Sequence, residues 1–470
     1  MAVMDRAIAD TVVADLANAL GRDRVSAGAA INPDDCHDES LHPRGTTPLC
    51  VVRPRSTAEV VDVVEVCARH RVPIVARGSG TGLSGAATPL PDGVLVAFDA
   101  MAAVTEVDTD NHVAVVQPGT TLRELDAALS GTGLRYPVYP GELSGSLGGN
   151  VNTNAGGMRA VRHGVTRHHV LGLELVLADA TVLRTGGKVM KSSSGYDLTQ
   201  LVIGSEGTLA LVTEATLKLS PCLDFGATLL VPFGELDAVT RAVPRLLAAG
   251  LSPSILEYLD AVTMLSITKA AELEFGVPAD VTGAAAAWLV VVLETRTQAT
   301  LDDDTEATAS LLAELGAIEV FVLPTASGRA LIEARERAFY VAKAAGANEI
   351  VDVVVPRAAV TGYLAEVASL AAAHGAFVAG CGHVGDGNVH LSVYLPDDAQ
   401  RTVLLDSLFA AGVAAGGQVS GEHGIGLDKL RPYLALTDPA LLMLQRRIKA
   451  VFDPNGLFNP GRLLDDGRPT

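Results

Sequence analysis

Val72-Pro-Ile-Val-Ala-Arg-Gly-Ser-Gly-Thr-Gly-Leu-Ser-Gly85 decides the fold, because a short apolar strand here runs without a break into glycines. Gly80-x-Gly82-x-x-Gly85 fits the dinucleotide fingerprint, and Asp99 lies about the expected distance downstream. That fingerprint needs a helix that opens at the glycines, so that its N-terminus faces a pyrophosphate. The chain instead continues as Ala86-Ala-Thr-Pro-Leu-Pro-Asp-Gly93, with two prolines and no helical period. The Rossmann reading therefore fails in its own context. There remains a loop of backbone N–H groups with small side chains at Ser79, Thr81 and Ser84, suited to diphosphate oxygens; a turn that binds nothing is the alternative.

Outward from the loop, Ser56-Thr57-Ala58-Glu59 is a capping-box pattern that opens a helix, and strands at Val94 to Phe98 and Val113 to Val116 precede a capped helix from Thr121 to Leu129. A Gly/Asn-rich stretch, Pro140 to Gly157, precedes an alternating run from Leu171 to Thr185 with a hairpin at Asp179-Ala180, and another strand covers Thr208 to Leu219. The first domain ends near Pro221. Beyond it, strands at 227–231, 285–293, 319–323 and 351–355 alternate with helices at 235–249, 300–315 and 327–345, which predicts a sheet with helices on one side.

Composition narrows the function. The formal charge of −19 and the absence of a basic run exclude a nucleic-acid surface. The five cysteines are scattered and never in C-x-x-C spacing, which suggests a reducing compartment and no cysteine-bound metal. The N-terminus reads as an amphipathic helix, and the longest apolar run, 284–293, is too short for a membrane span, so no transmembrane segment is expected. The expected location is the cytoplasm, with peripheral attachment to a membrane through the electron acceptor as the alternative.

Two further segments share the chemistry of the first loop: Gly145-Ser-Leu-Gly-Gly-Asn-Val-Asn-Thr-Asn-Ala-Gly-Gly157 and Ile203-Gly-Ser-Glu-Gly-Thr-Leu209. Taken with Gly195-Tyr-Asp-Leu198, this succession resembles the FAD-binding domain of the vanillyl-alcohol-oxidase superfamily, and within it the D-lactate, glycolate and D-2-hydroxyglutarate dehydrogenases. The resemblance implies an α+β fold: an N-terminal helical segment (1–42), a PCMH-type FAD-binding domain of two subdomains (43–221), a ferredoxin-like α+β substrate or cap domain (222–425), and a C-terminal helical segment (426–470) that returns to the flavin. It implies that Arg77, Gly78, Ser79, Gly80, Thr81, Gly82, Ser84, Gly85, Pro140, Ser146, Gly149, Asn150, Asn154, Gly156, Gly157, Glu206, Gly207, Val212 and Asn459 bind FAD. Relatives with covalent FAD often place a histidine in the first loop; Thr81 here implies a non-covalent cofactor.

Of eleven histidines, three fall in two compact motifs, His383-Val-Gly-Asp-Gly-Asn-Val-His390 and Ser420-Gly-Glu-His-Gly-Ile-Gly426. His383 and His390 can converge across the Gly-Asp-Gly turn, and Glu422 can complete three ligands while leaving coordination positions open. The family resemblance agrees: it implies that His383, His390 and Glu422 bind a divalent metal, often zinc, that His423 is the base, and that Arg335 grips the substrate carboxylate. A solvated helix charge is the alternative for Arg335. The D-2-hydroxyglutarate enzymes carry a lysine and an asparagine where this chain has Ile350 and Ser392, which favours a monocarboxylate: D-lactate, glycolate or a longer apolar 2-hydroxy acid. A D-2-hydroxyglutarate dehydrogenase, a non-catalytic FAD-binding subunit of a multi-subunit glycolate oxidase, and a flavin oxidase of sugars or aryl alcohols are the alternatives. The sequence leaves open the acceptor (quinone, electron-transferring flavoprotein, cytochrome or oxygen) and the oligomeric state, a homodimer included.

Overall fold

A computed structural model describes residues 5–464. The first four residues of the expected N-terminal segment and the last six of the expected C-terminal segment lie outside the described residues. The chain is α+β and builds three main sheets. In the first, the strands Cys50–Val52, Val94–Ala97 and Ile74–Arg77 run parallel, and Val25–Ala27 adds an antiparallel edge. Their largely buried residues are what a sheet covered on both faces requires. At the far edge the tail returns: Ile74 N–H donates to Leu457 and Asn459 N–H to Ile74, while Phe458 is fully buried in this subdomain's core. Residues 457–459 thus belong to the first sheet's subdomain, although they lie near the end of the sequence.

The second sheet is antiparallel, in the order Val104–Asp108, Val113–Val116, Leu211–Lys218, Val170–Val176, Val182–Gly186. The expected hairpin at Asp179-Ala180 is present, with Ala180 left-handed at φ 66°. The capped helix forms as Leu122–Leu129, with Thr121 and Glu124 exchanging both capping hydrogen bonds.

The third sheet has seven strands, and its order runs 321–323, 225–233, 287–295, 255–260, 377–382, 388–394, 349–354. The strands Ile255–Asp260, Phe377–Gly382 and Asn388–Tyr394 add to those expected: Glu257, Gly380 and Gly382 interrupt the apolar runs of the first two, while Asn388–Tyr394 alternates apolar and polar residues. Helices lie on both faces, not one. Val239, Val243, Leu312, Val360, Val367, Leu404 and Leu408 pack from helices onto Leu229, Val231, Leu256, Leu289, Val353 and Leu391. On the other face, Met264 and Ile267 of Ala261–Ala270 and Leu331 and Ala334 of Thr325–Glu336 meet Leu230, Leu259, Val290 and Cys381. The expected helix over 327–345 is two, Thr325–Glu336 and Ala338–Ala344.

Candidate active site

The second face of the third sheet carries the chemistry, and strand alternation places it there. In 255–260, Leu256 and Tyr258 point into the helix-covered core, which turns Glu257 the other way. In 349–354, Val351 and Val353 do the same and turn Asp352 out; in 388–394, Val389, Leu391 and Val393 leave His390 and Ser392 on Asp352's face. Register then aligns Asp352 with His390, His390 with Cys381, and Ile350 with Ser392. The turn between 377–382 and 388–394 needs its glycines: at Gly387, with φ 82°, a Cβ would stand 2.0 Å from the Val355 carbonyl oxygen.

His383 Nε2 and His390 Nε2 lie 3.1 and 3.3 Å from the same oxygen, Glu422 Oε1. Behind His383, Glu257 Oε1 sits 2.5 Å from Nδ1, so the ring is oriented with Nε2 toward the cluster. His423 stacks on His390 at 5.1 Å between centroids. Burial works against a charge on His383, but Glu257 and Glu422 outweigh it and push the imidazole up to about 10, while the histidines hold Glu422 well below the carboxylate range. A cluster that attracts positive charge this strongly, with a carboxylate oxygen and two oriented Nε2 atoms converging, fits a divalent cation. Burial lowers His423 to about 4, despite the pull of Asp352, which leaves the ring neutral.

Asp352 and Glu257 are the residues that sequence reasoning missed. Asp352 is fully buried, and its Oδ2 accepts from the backbone N–H groups of Gly421, Glu422 and His423 (3.1, 3.1 and 2.9 Å), from Ser420 Oγ (2.7 Å) and from Lys429 Nζ (3.3 Å). Its Oδ1 accepts from Asn388 Nδ2 at 2.8 Å. One carboxylate thereby fixes both histidine motifs, and although burial opposes its charge, the Lys429 ammonium among its neighbours helps to hold it well below the carboxylate range. The available signal was a lone acid inside an apolar strand, in Val351-Asp-Val-Val-Val and in Ile255-Leu-Glu-Tyr-Leu.

Arg335 is buried beside this cluster. Its Nη2 pairs with Glu257 Oε2 at 2.8 Å, while its Nε has no hydrogen-bond acceptor among the described residues. An open donor on a buried guanidinium suits an incoming carboxylate.

One cavity joins this cluster to the glycine loop. Arg77 to Gly82, Pro140, Ser146, Gly149, Asn150, Gly156, Glu206, Gly207, Val212 and Asn459 line it from one side; His390, Ile350, Ser392 and Ala379 of the third sheet line it from the other, with His383, Glu422 and His423 of its turn and loop and Arg335 and Phe339 of the helices. Buried Asn150 Nδ2 and Asn459 Oδ1 lack partners among the described residues, which fits polar edges of a bound heterocycle or ribityl chain. Gly78 presses on Ser146, where a Cβ would come 1.9 Å from Oγ, and Gly80 needs its φ of 76°. The Arg77 guanidinium is engaged elsewhere, by the carbonyls of His37 and Asp34. Four of the expected residues stand behind the wall. Ser84 and Gly85 meet the 423–428 loop, Asn154 caps the helix Leu147–Thr153 and accepts from Arg167 N–H, and Gly157, at φ 115°, packs on the Tyr139 carbonyl.

Residues 48–186 match the family model described as FAD binding domain, and residues 224–463 that of FAD linked oxidases, C-terminal domain. The chain is 50% identical over 447 residues to an uncharacterised FAD-linked oxidoreductase of Mycobacterium tuberculosis, covering 95% of this chain and 97% of the relative. It is 36% identical over 426 residues to the glycolate oxidase subunit GlcD of Bacillus subtilis, covering 89% of each. It is 35% identical over 426 residues to a D-lactate dehydrogenase of Archaeoglobus fulgidus, covering 90% of this chain and 93% of that one. Among solved structures, p-cresol methylhydroxylase superposes with a TM-score of 0.79 at 18% identity over 100% of this chain and 99% of its own, a likeness of fold.

Proposed function

The chain belongs to the FAD-linked oxidases, as an FAD-dependent oxidoreductase of the D-lactate dehydrogenase and glycolate oxidase type, and from that premise we propose that it oxidises a D-2-hydroxy monocarboxylate to the 2-oxo acid. The observation that carries this is the convergence of His383 Nε2 and His390 Nε2 on Glu422 Oε1, beside a buried arginine with an open Nε donor and a neutral histidine. When bound, FAD supplies a two-electron acceptor, and a divalent cation held by His383, His390 and Glu422 supplies a Lewis acid of the kind that lowers the pKa of water from 15.7 to about 7. Zinc suits this nitrogen and oxygen donor set. Arg335 grips the substrate carboxylate, and His423 accepts the 2-hydroxyl proton. Ile350 offers no charge to a second carboxylate, whose unpaired burial would cost several kcal/mol.

Anaerobic bleaching of the flavin against a panel of D- and L-2-hydroxy acids tests the reading without knowledge of the electron acceptor. D-lactate or a larger apolar D-acid should reduce the flavin faster than D-2-hydroxyglutarate or D-malate; a preference for the dicarboxylates would return a cation to the substrate's far end. With Thr81 in the loop, FAD is held without a covalent bond, and denaturation should leave the yellow colour in solution. Colour that stays with the precipitate would point to a covalent anchor.

A further inference from the structure

We propose that Glu206 is a positioning residue: its carboxylate latches the loop that bears Glu422 and His423 onto the FAD-binding domain, and so sets the proton acceptor against the flavin. The role rests on the oxidation reading above. Glu206 lies in Gly204-Ser-Glu-Gly-Thr208, left-handed at φ 52° and 5% exposed. Its own backbone is pinned, since its N–H donates to the Asn152 carbonyl at 2.8 Å and its carbonyl accepts from Asn459 Nδ2 at 2.6 Å. The carboxylate does not face the cavity as a free acceptor. Oε1 accepts from Ile425 N–H at 2.6 Å and Oε2 from Gly426 N–H at 2.7 Å, two consecutive donors directly behind the Glu422-His423 pair.

Ser84, from the diphosphate loop, completes the grip. Its Oγ lies 3.1 Å from both the His423 and Gly424 carbonyls, and its own carbonyl accepts from Leu427 N–H at 2.8 Å and Asp428 N–H at 3.2 Å. This contact accounts for the glycines of Glu-His-Gly-Ile-Gly. A Cβ at Gly424 would stand 3.0 Å from Glu206 Oε1, and one at Gly426 only 2.0 Å from the Ser84 carbonyl oxygen. The loop is thus held by Asp352 of the sheet at 421–423 and by the FAD-binding half from His423 to Asp428. Two motifs more than two hundred residues apart form one device.

The arrangement has a purpose in the chemistry. The base and ligands stand on one domain and the glycine loop on another, so the reacting atoms align only if the domains are registered to a fraction of an ångström. Misplacement by about 1 Å costs on the order of 10²-fold in rate. A carboxylate suits the task because both oxygens accept charge-assisted bonds from fixed N–H groups, whereas an amide would set a donor against one of them.

The test uses full-length, FAD- and metal-loaded protein, with Glu206→Gln and Ser84→Ala compared by hydrogen–deuterium exchange over 421–428, cofactor content and single-turnover flavin reduction by the best 2-hydroxy acid of the panel. For Glu206→Gln we expect FAD content, metal content and KM near the parent's, faster exchange at Ile425 and Gly426, and a limiting reduction rate roughly 10- to 100-fold lower. Ser84→Ala should move the same readouts less far, and reads the latch even where Glu206→Gln does not fold. Loss of FAD with unchanged exchange would make Glu206 a flavin ligand and overturn the proposal. An unchanged limiting rate in protein with fast exchange would also overturn it. Parent protein that no 2-hydroxy acid reduces would remove the oxidation reading, while the exchange data would still judge the latch.

Discussion

Among single residues, the three histidines of the cluster stand differently toward Glu422, the neighbour they share. His383 and His390 direct Nε2 at Glu422 within 3.3 Å, whereas His423 Nε2 stands 3.8 Å from that oxygen and is held neutral by burial. His423→Ala should therefore keep FAD and metal while flavin reduction slows by roughly 10² to 10⁴, the usual scale of a lost acid–base group. His390→Ala should lose the metal and keep FAD, since the glycine loop lies on the other half of the chain. Metal analysis beside anaerobic reduction decides this, and full activity in metal-free protein would return the ligands to a structural role. The histidines were legible in the sequence because two compact motifs held them. Glu257 and Asp352 were not, because one acid in an apolar strand gives no local sign of what it faces.

For elements, the edge strand 349–354 holds the site together through one side chain. Asp352 fixes the N–H groups at 421–423 on Oδ2 and Asn388 on Oδ1, so it binds strand, turn and loop into one unit. Asp352→Asn keeps the shape but removes the charge and sets an amide donor against donors. Denaturant melts should show a loss of about 3 kcal/mol, the scale of a broken buried ionic network, and metal retention should fall with it. A variant as stable as the parent would show that the loop is fixed by other contacts. The site strands 255–260 and 377–382 escaped the periodicity reading because Glu257, Gly380 and Gly382 break their apolar runs, whereas 388–394 alternates cleanly and its pattern is overlaid by the histidine motif.

In the whole molecule, the two halves also meet through Arg135 and Glu294, a bidentate pair at 2.8 and 2.9 Å. Burial opposes the Glu294 charge, but Arg135 and Arg159 outweigh it and depress the carboxyl from 4.5 to about 2. Its folded value lies below its unfolded one, so the stabilisation is full above about pH 4.5 and lost as pH falls toward 2. Thermal melts between pH 5 and pH 3 should thus fall more steeply for the parent than for Glu294→Gln; parallel curves would remove the pair from the acid response. Sequence alone made legible the glycine-rich segments and the histidine motifs and, through the family resemblance they carry, the α+β class, because each motif is written in contiguous residues whose backbone freedom or side-chain chemistry is local. It could not place helices on both faces of the third sheet, return 457–459 to the edge of the first, or turn the Glu206 carboxylate toward Ile425 and Gly426. Those were decided by tertiary structure, since each depends on a hydrogen-bond partner or packed face far away along the chain, chosen by burial and not by neighbours in sequence.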